Sequence, residues 1–214
     1  MKNVLIFILL FTISSTFSQE KKAYFFDVDL KTQLSEREFY LKRYLDKKLI
    51  NLDLHFENDT SYVAILHPRK KYGKLSLPKL DSLKTYLNSI SSKQKELSNH
   101  IIINFIEETK DNPCAASRNY TGIHIYHNDY KKKLDKILDF DSYAVFKDKE
   151  STKGHPKRKI FDKQLTIKKL FFNYYIPCGS FVVIKPDGRY ICNYGEYGKE
   201  DVWGIAEEIS KSDK

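Results

Sequence analysis

Ile101-Ile102-Ile103-Asn104-Phe105-Ile106 is an apolar run broken once, by Asn104. A strand with one wet face alternates polar and apolar residues, whereas a continuous run of this length reads as a strand covered on both faces. Covering both faces takes helices on either side of a central sheet, and the chain downstream supplies them. Asn128 is placed to cap a helix reaching Leu138 that turns Tyr130, Leu134, Ile137 and Leu138 to one side. Residues 143–146 read as a second short buried strand. A polar, basic loop at 147–159 leads to a helix predicted around 161–172. Past Pro177, strands over 180–184 and 190–194 flank Pro186-Asp187-Gly188-Arg189, where Asp-Gly between apolar strands signals a hairpin. A last helix over 200–209 carries Val202, Ile205, Ala206 and Ile209 inward. The order strand, loop, helix, strand, helix, hairpin, helix is an α/β arrangement.

Upstream, residues 24–28 form a strand candidate, and Ser35 with Glu38 makes a capping-box pattern that opens a helix. Leu41, Leu45 and Leu49, spaced by four, fall on one helical face. Residues 52–56 and 62–66 flank Glu57-Asn58-Asp59 as a hairpin. Residues 67–73 read as a basic loop. Pro78 suits the first turn of a second helix, striped by Leu80, Leu83, Leu87 and Ile90 and ending near 89–92. Residues 107–126 show no helical period, and a loop that long inside a compact domain points to function.

At the N-terminus Lys2 precedes an unbroken apolar run over 4–11, and Thr16-Phe17-Ser18 puts small residues three before and one before a cut ahead of Gln19. The run dissolves into Thr12, Ser14, Ser15 and Thr16, short of the roughly 20 apolar residues of a membrane span. We therefore expect a signal peptide over 1–18, export to the periplasm or the medium, and a mature chain without a transmembrane segment. A lipid anchor would need a cysteine at the cut, and the first cysteine is Cys114. With 15 Tyr and 14 Phe, a packed core is feasible despite 30% charged residues. The formal charge of +9 includes Lys2; the lysines are spread along the chain with local concentrations at 67–74 and 153–159, and the aromatics alternate with aliphatics instead of interleaving with arginine. That pattern reads as a solvated surface, so nucleic acid is not the expected partner. Three cysteines permit at most one internal disulfide, which excludes a disulfide scaffold.

The element order resembles the thioredoxin-like fold, and three local features carry the resemblance. The buried strand leads through a loop to Asn112-Pro113-Cys114, where thioredoxins keep Cys-x-Pro-Cys. Ile176-Pro177 stands immediately before the hairpin, where the family keeps a cis proline facing its active site. The Asp187-Gly188 hairpin is followed by a closing helix with Trp203 near its start. The resemblance covers 100–214 and implies a three-layer α/β/α core. Residues 19–99 then form an N-terminal helix and β-hairpin extension or a small domain, with 89–98 as the boundary region.

Aligning Pro113-Cys114 on the second half of that motif puts Asp111 where the attacking cysteine belongs, and counting without a gap from Phe105 puts Lys110 there. Neither attacks a disulfide. The resemblance thus implies a module that has lost the dithiol cycle and binds a protein or a small thiol or disulfide, with Asp111, Pro113 and Pro177 on the binding side. In the alternative, Cys114 is a catalytic thiol of an oxidoreductase or peroxidase. The peroxiredoxin pattern has threonine three residues before its cysteine, whereas here Asp111 holds that place, Thr109 lies five before, and Arg118 is the nearest arginine. Cys178, following Pro177, would be its resolving partner, and a Cys114 to Cys178 disulfide follows from the same resemblance. Pairing of Cys178 with Cys192 is disfavoured: a two-residue turn sets Cys192 opposite Val183, about five residues or roughly 16 Å away. Cys192 is expected as a buried free thiol.

His124 and His127, three apart, lack further ligands at zinc spacing, His155 falls in a loop, and the sequence sets no further metal ligand beside His55 or His100. No metal and no cofactor are expected. Glu107-Glu108 reads as a solvated pair. A third reading has the basic segments 69–74 and 153–159 contacting an anionic envelope polymer.

Overall fold

A computed structural model describes residues 22–55, 61–91, 99–107, 128–149, 160–176 and 179–211. Strand β1 (Lys22–Phe26) pairs antiparallel with the two-residue β2 (Gln33–Leu34), and helix α1 (Glu36–Leu45) follows at once. The capping box forms: Ser35 Oγ accepts from the Glu38 amide at 3.3 Å, and the Ser35 amide donates to Glu38 Oε2 at 2.9 Å. The expected hairpin is β3 (Leu49–His55) and β4 (Ser61–Pro68), in register through Leu52 opposite Ile65. Its tip, including Glu57-Asn58-Asp59, lies outside the described residues. β1 adds to β4 in parallel, giving a four-stranded sheet ordered β2-β1-β4-β3.

The stripe of Leu41, Leu45 and Leu49 does not form. Helix α1 buries Phe39 on its sheet, the ring 5.1 Å from that of Phe25, with Tyr40 edge-on to Phe25 at 5.9 Å, and the chain leaves the helix at Asp46 before Leu49 enters β3. Leu41 and Leu45 face solvent.

Residues 67–73, expected as a loop, are strand instead. The end of β4, a single intervening residue and β5 (Lys70–Lys74) run on without a turn, because the outer edge of a later strand offers β5 its backbone partners. Helix α2 (Leu77–Ser91) then buries Leu80, Leu83 and Leu87 as its spacing predicts. β6 (His100–Ile106) is the apolar run, buried on both faces from Ile101 onward. Helix α3 (Asn128–Leu134) stops a turn early, yet Leu138 remains buried. It leads to β7 (Phe140–Phe146) and the two-residue β8 (Ile160–Phe161). Helix α4 (Thr166–Phe171) is shorter than predicted because its start is set by Asp162, not by Phe161. The chain closes with β9 (Ser180–Ile184), β10 (Arg189–Tyr194) and α5 (Lys199–Lys211).

These strands form a six-stranded sheet ordered β5-β10-β9-β6-β7-β8, in which β6, β7 and β8 are parallel and the other pairings antiparallel. Ile101, Ile103 and Phe105 pack with α2 and α4, whereas Ile102 packs with α3 and α5. Helices thus cover both faces, as the period-two geometry of a doubly buried strand demands. The described chain is a mixed α/β protein of two mixed sheets and five helices. Of residues 19–99, those from 22 to 68 build the smaller sheet, and β5 and α2 belong to the larger one. Among the described residues, no helix is long and apolar enough to cross a membrane.

One register differs from expectation. Gly188, at φ +88°, donates to the Lys185 carbonyl, and the Lys185 amide donates to the Arg189 carbonyl, so the loop has three residues. Cys192 therefore stands opposite Val182, and Val183 faces Ile191.

Candidate functional site

In open α/β sheets the crevice outside the carboxyl ends of the parallel strands is where ligands bind. Here those ends are built from residues far apart in sequence. Glu107 follows β6 directly and is only 4% exposed, so it is not the solvated residue its acidic neighbour suggested. A carboxylate stripped of water needs charged partners. Lys147, the first residue after β7, donates to Oε1 at 2.8 Å, and Lys168 of α4 donates to the same oxygen at 2.5 Å. The hydrogen bond to Glu107 holds the Lys147 ammonium above its ordinary pKa. Two ammoniums on one carboxylate leave this end of the sheet with a net positive charge.

Lys168 is positioned by Asp162, whose buried carboxylate accepts from the amides of Thr166 at 2.8 Å and Lys168 at 2.9 Å and from the Tyr86 hydroxyl at 2.8 Å. That one side chain starts α4 and ties it to α2. Beside the cluster a cleft of about 360 Å³ is lined by Lys147, Asp148, Lys149, Phe161, Asp162, Lys163 and Leu165. Phe161 and Leu165 give the cleft an apolar wall, and its three lysines outnumber Asp148 and Asp162 by one charge, which suits an apolar group carrying negative charge.

The other flank lies where β4 passes into β5. The backbone of Arg69 donates to Lys48 O and accepts from the Tyr194 amide, and its guanidinium donates to Glu196 O at 2.9 Å, so it clasps the end of β10. His67 is half-buried against Tyr194 and Tyr174, with ring centroids 5.2 and 6.0 Å away. Its Nδ1 lies 2.7 Å from Pro68 O, which fixes the proton on Nδ1, and burial lowers its pKa. Behind the strand ends, the Tyr197 hydroxyl donates to Asn104 Oδ1 at 2.9 Å, so the one polar residue of the β6 run is satisfied inside the core.

The site residues expected from sequence, Asp111, Pro113, Cys114, Pro177 and Cys178, lie outside the described residues, as do Thr109, Arg118, His124, His127 and His155. Their flanks are described. Phe105 near the end of β6 is paired with Ser180 at the start of β9, and Ile176 is buried in the same core cluster as Phe105. Cys192 is a buried free thiol as expected, and burial pushes its pKa up to about 12, far from a reactive thiolate. Among the described residues, no group of three or more His, Cys, Asp or Glu is gathered as a metal site. The basic segment 69–74 is partly committed: Lys70 and the Tyr72 hydroxyl both donate to Glu208 at 2.7 Å. Sequence reasoning missed the joining of Glu107, Lys147 and Lys168. The available signal was an acidic residue placed directly after a doubly buried strand.

Compared with known proteins, the chain matches no protein-family model and no curated protein.

Proposed function

We propose that this chain is an exported thioredoxin-like protein that has lost the dithiol motif and works as a non-catalytic binding or accessory module. One observation carries the reading. Phe105 opposite Ser180 sets the exit of β6 beside the entry of β9, and these are the two ends that lead toward Pro113-Cys114 and come from Ile176-Pro177. The order of elements after residue 100, with helices on both faces and the β9–β10 hairpin next to β6, supports the same scaffold. Asp111 or Lys110 in place of the attacking cysteine removes the nucleophile, and Cys192, buried at a pKa near 12, does not replace it. The positive cluster around Glu107 and the cleft beside Lys147 favour a partner that brings an acidic or apolar-anionic group. Purified protein assayed for reduction of insulin disulfides should show no turnover above background; thioredoxin-like rates would overturn the proposal.

The second reading, a thiol enzyme using Cys114 with Cys178 as resolving partner, draws on the same pairing of Phe105 with Ser180. Alkylation before and after reduction, read by mass spectrometry on protein from its export compartment, separates the two. Three free thiols favour the accessory module, and a Cys114 to Cys178 bridge favours a redox history. The same spectra show whether the chain begins at Gln19, as cleavage of residues 1–18 requires.

A further inference from the structure

The cleft of about 360 Å³ past the ends of β7 and β8 falls at the small end of the range for pockets that hold organic molecules. Its apolar wall is held at a cost. Leu165 sits at φ +54°, in the left-handed region that strains a leucine, immediately before α4. Asp162 maintains that conformation: its carbonyl accepts from the Leu165 amide at 2.8 Å, and its carboxylate accepts from the Thr166 and Lys168 amides just beyond. The strained residue lines the cleft together with Phe161, and both side chains are half-buried.

The charges decide what an occupant must bring. Two nearby carboxylates are already engaged, Asp162 with those two amides and the Tyr86 hydroxyl, and Glu107 with Lys147 and Lys168. Neither is placed to recruit a cation. On the basic side, Lys147 gives Glu107 one of the three N–H donors of its ammonium, and the exposed Lys163 has no ion-pair partner among the described residues. Lys147 also links Glu107 and Lys168 to the cleft. With them included, Lys147, Lys149, Lys163 and Lys168 meet Glu107, Asp148 and Asp162, which leaves the group one negative charge short of balance. One added anion supplies it, and a desolvated apolar wall favours an anion that carries an apolar body.

We propose that this cleft binds a small organic monocarboxylate with an aromatic or short aliphatic body. Lys147 and Lys163 take the carboxylate, and Phe161 and Leu165 take the body. The proposal rests on the accessory-module reading only in that the protein works by binding. Calorimetric titration of naphthoate into the purified protein should give a dissociation constant of about 1 mM or tighter, as a ligand of this size allows. Naphthylmethanol, the same body without the charge, should bind at least about tenfold more weakly. Lys163→Glu should weaken naphthoate binding about tenfold and leave naphthylmethanol unchanged, a split that a structural role for Lys163 would not produce. Leu165→Gly fits the left-handed backbone without strain, so it should keep the circular dichroism of the fold while weakening both ligands at least about threefold. Absence of naphthoate binding up to about 5 mM would overturn the proposal. So would equal affinity for the acid and the alcohol, or naphthoate binding indifferent to both variants. The insulin assay reports on the scaffold separately. Naphthoate binding accompanied by insulin reduction would overturn the module reading and leave this site standing, whereas neither binding nor reduction would overturn the site and leave the module reading standing.

Discussion

A carboxylate removed from water must be given donors in return, and Glu107 receives two ammoniums on one oxygen. Replacing it by Gln keeps the shape and removes the charge that Lys147 and Lys168 share. We expect Glu107→Gln to lower stability in urea unfolding by about 2 kcal/mol, since both lysines are mostly covered and would be left facing each other. The pH dependence follows with a definite sign. The Lys147 ammonium is held above its ordinary value, near 10.4 in an unfolded chain. Its contribution is therefore complete below about pH 10 and is lost as pH rises through the folded pKa. In Glu107→Gln that alkaline loss should shrink; an unchanged alkaline limb would show that Glu107 is not the group holding the proton on Lys147.

At the level of elements, close approaches decide which strands may neighbour each other. The β9–β10 loop is held by Gly188 at φ +88°, and a Cβ there would stand 2.5 Å from the Leu75 carbonyl oxygen, whose own amide donates to Gly188 O. The turn therefore fixes the hairpin register and, through Leu75, the end of β5. Gly188→Ala combines an unfavourable backbone conformation with a clash against backbone and should cost about 2–4 kcal/mol in chemical denaturation. A cost under about 0.5 kcal/mol would mean that this loop relaxes freely. The sequence announced the turn through Asp187-Gly188, but whether the loop has two or three residues depends on which backbone groups close it. That choice moved Cys192 from Val183 to Val182. Helix α1 makes the same point: its capping box was legible, but the face it buries was not, because Phe39 meets Phe25 from a strand that only the fold brings beneath it.

At the scale of the molecule, the chain passes from the smaller sheet to the larger where β4 gives way to β5 through Arg69. Ile50 and Leu52 of the smaller sheet belong to the same buried cluster as Leu80, Phe105 and Phe171 of the larger one. Shared burial of this kind couples unfolding, so we expect one transition. Fluorescence of the single Trp203, in α5, and far-ultraviolet circular dichroism should report coincident urea curves. Arg69→Ala removes the guanidinium bonds to Tyr194 and Glu196 and should lower the midpoint while keeping the curves coincident. Separate transitions in the unmodified protein would show two independently stable units.

By itself the sequence determined what depends on neighbours within a few residues: the doubly buried run of β6, the inward stripes of α2 and α5, the Ser35 cap and the presence of a turn at Gly188. Each is set by a periodicity or a backbone preference that a short segment carries alone. Only the tertiary structure decided what depends on partners far along the chain. It made residues 70–74 an edge strand of β10, turned the outer face of α1 to solvent, and gathered Glu107, Lys147 and Lys168 at one end of the sheet. The physical reason is the same in each case. An unpaired strand edge, an uncovered helix face and a dehydrated carboxylate all need a partner, and which residue answers is set by proximity in space, not along the chain.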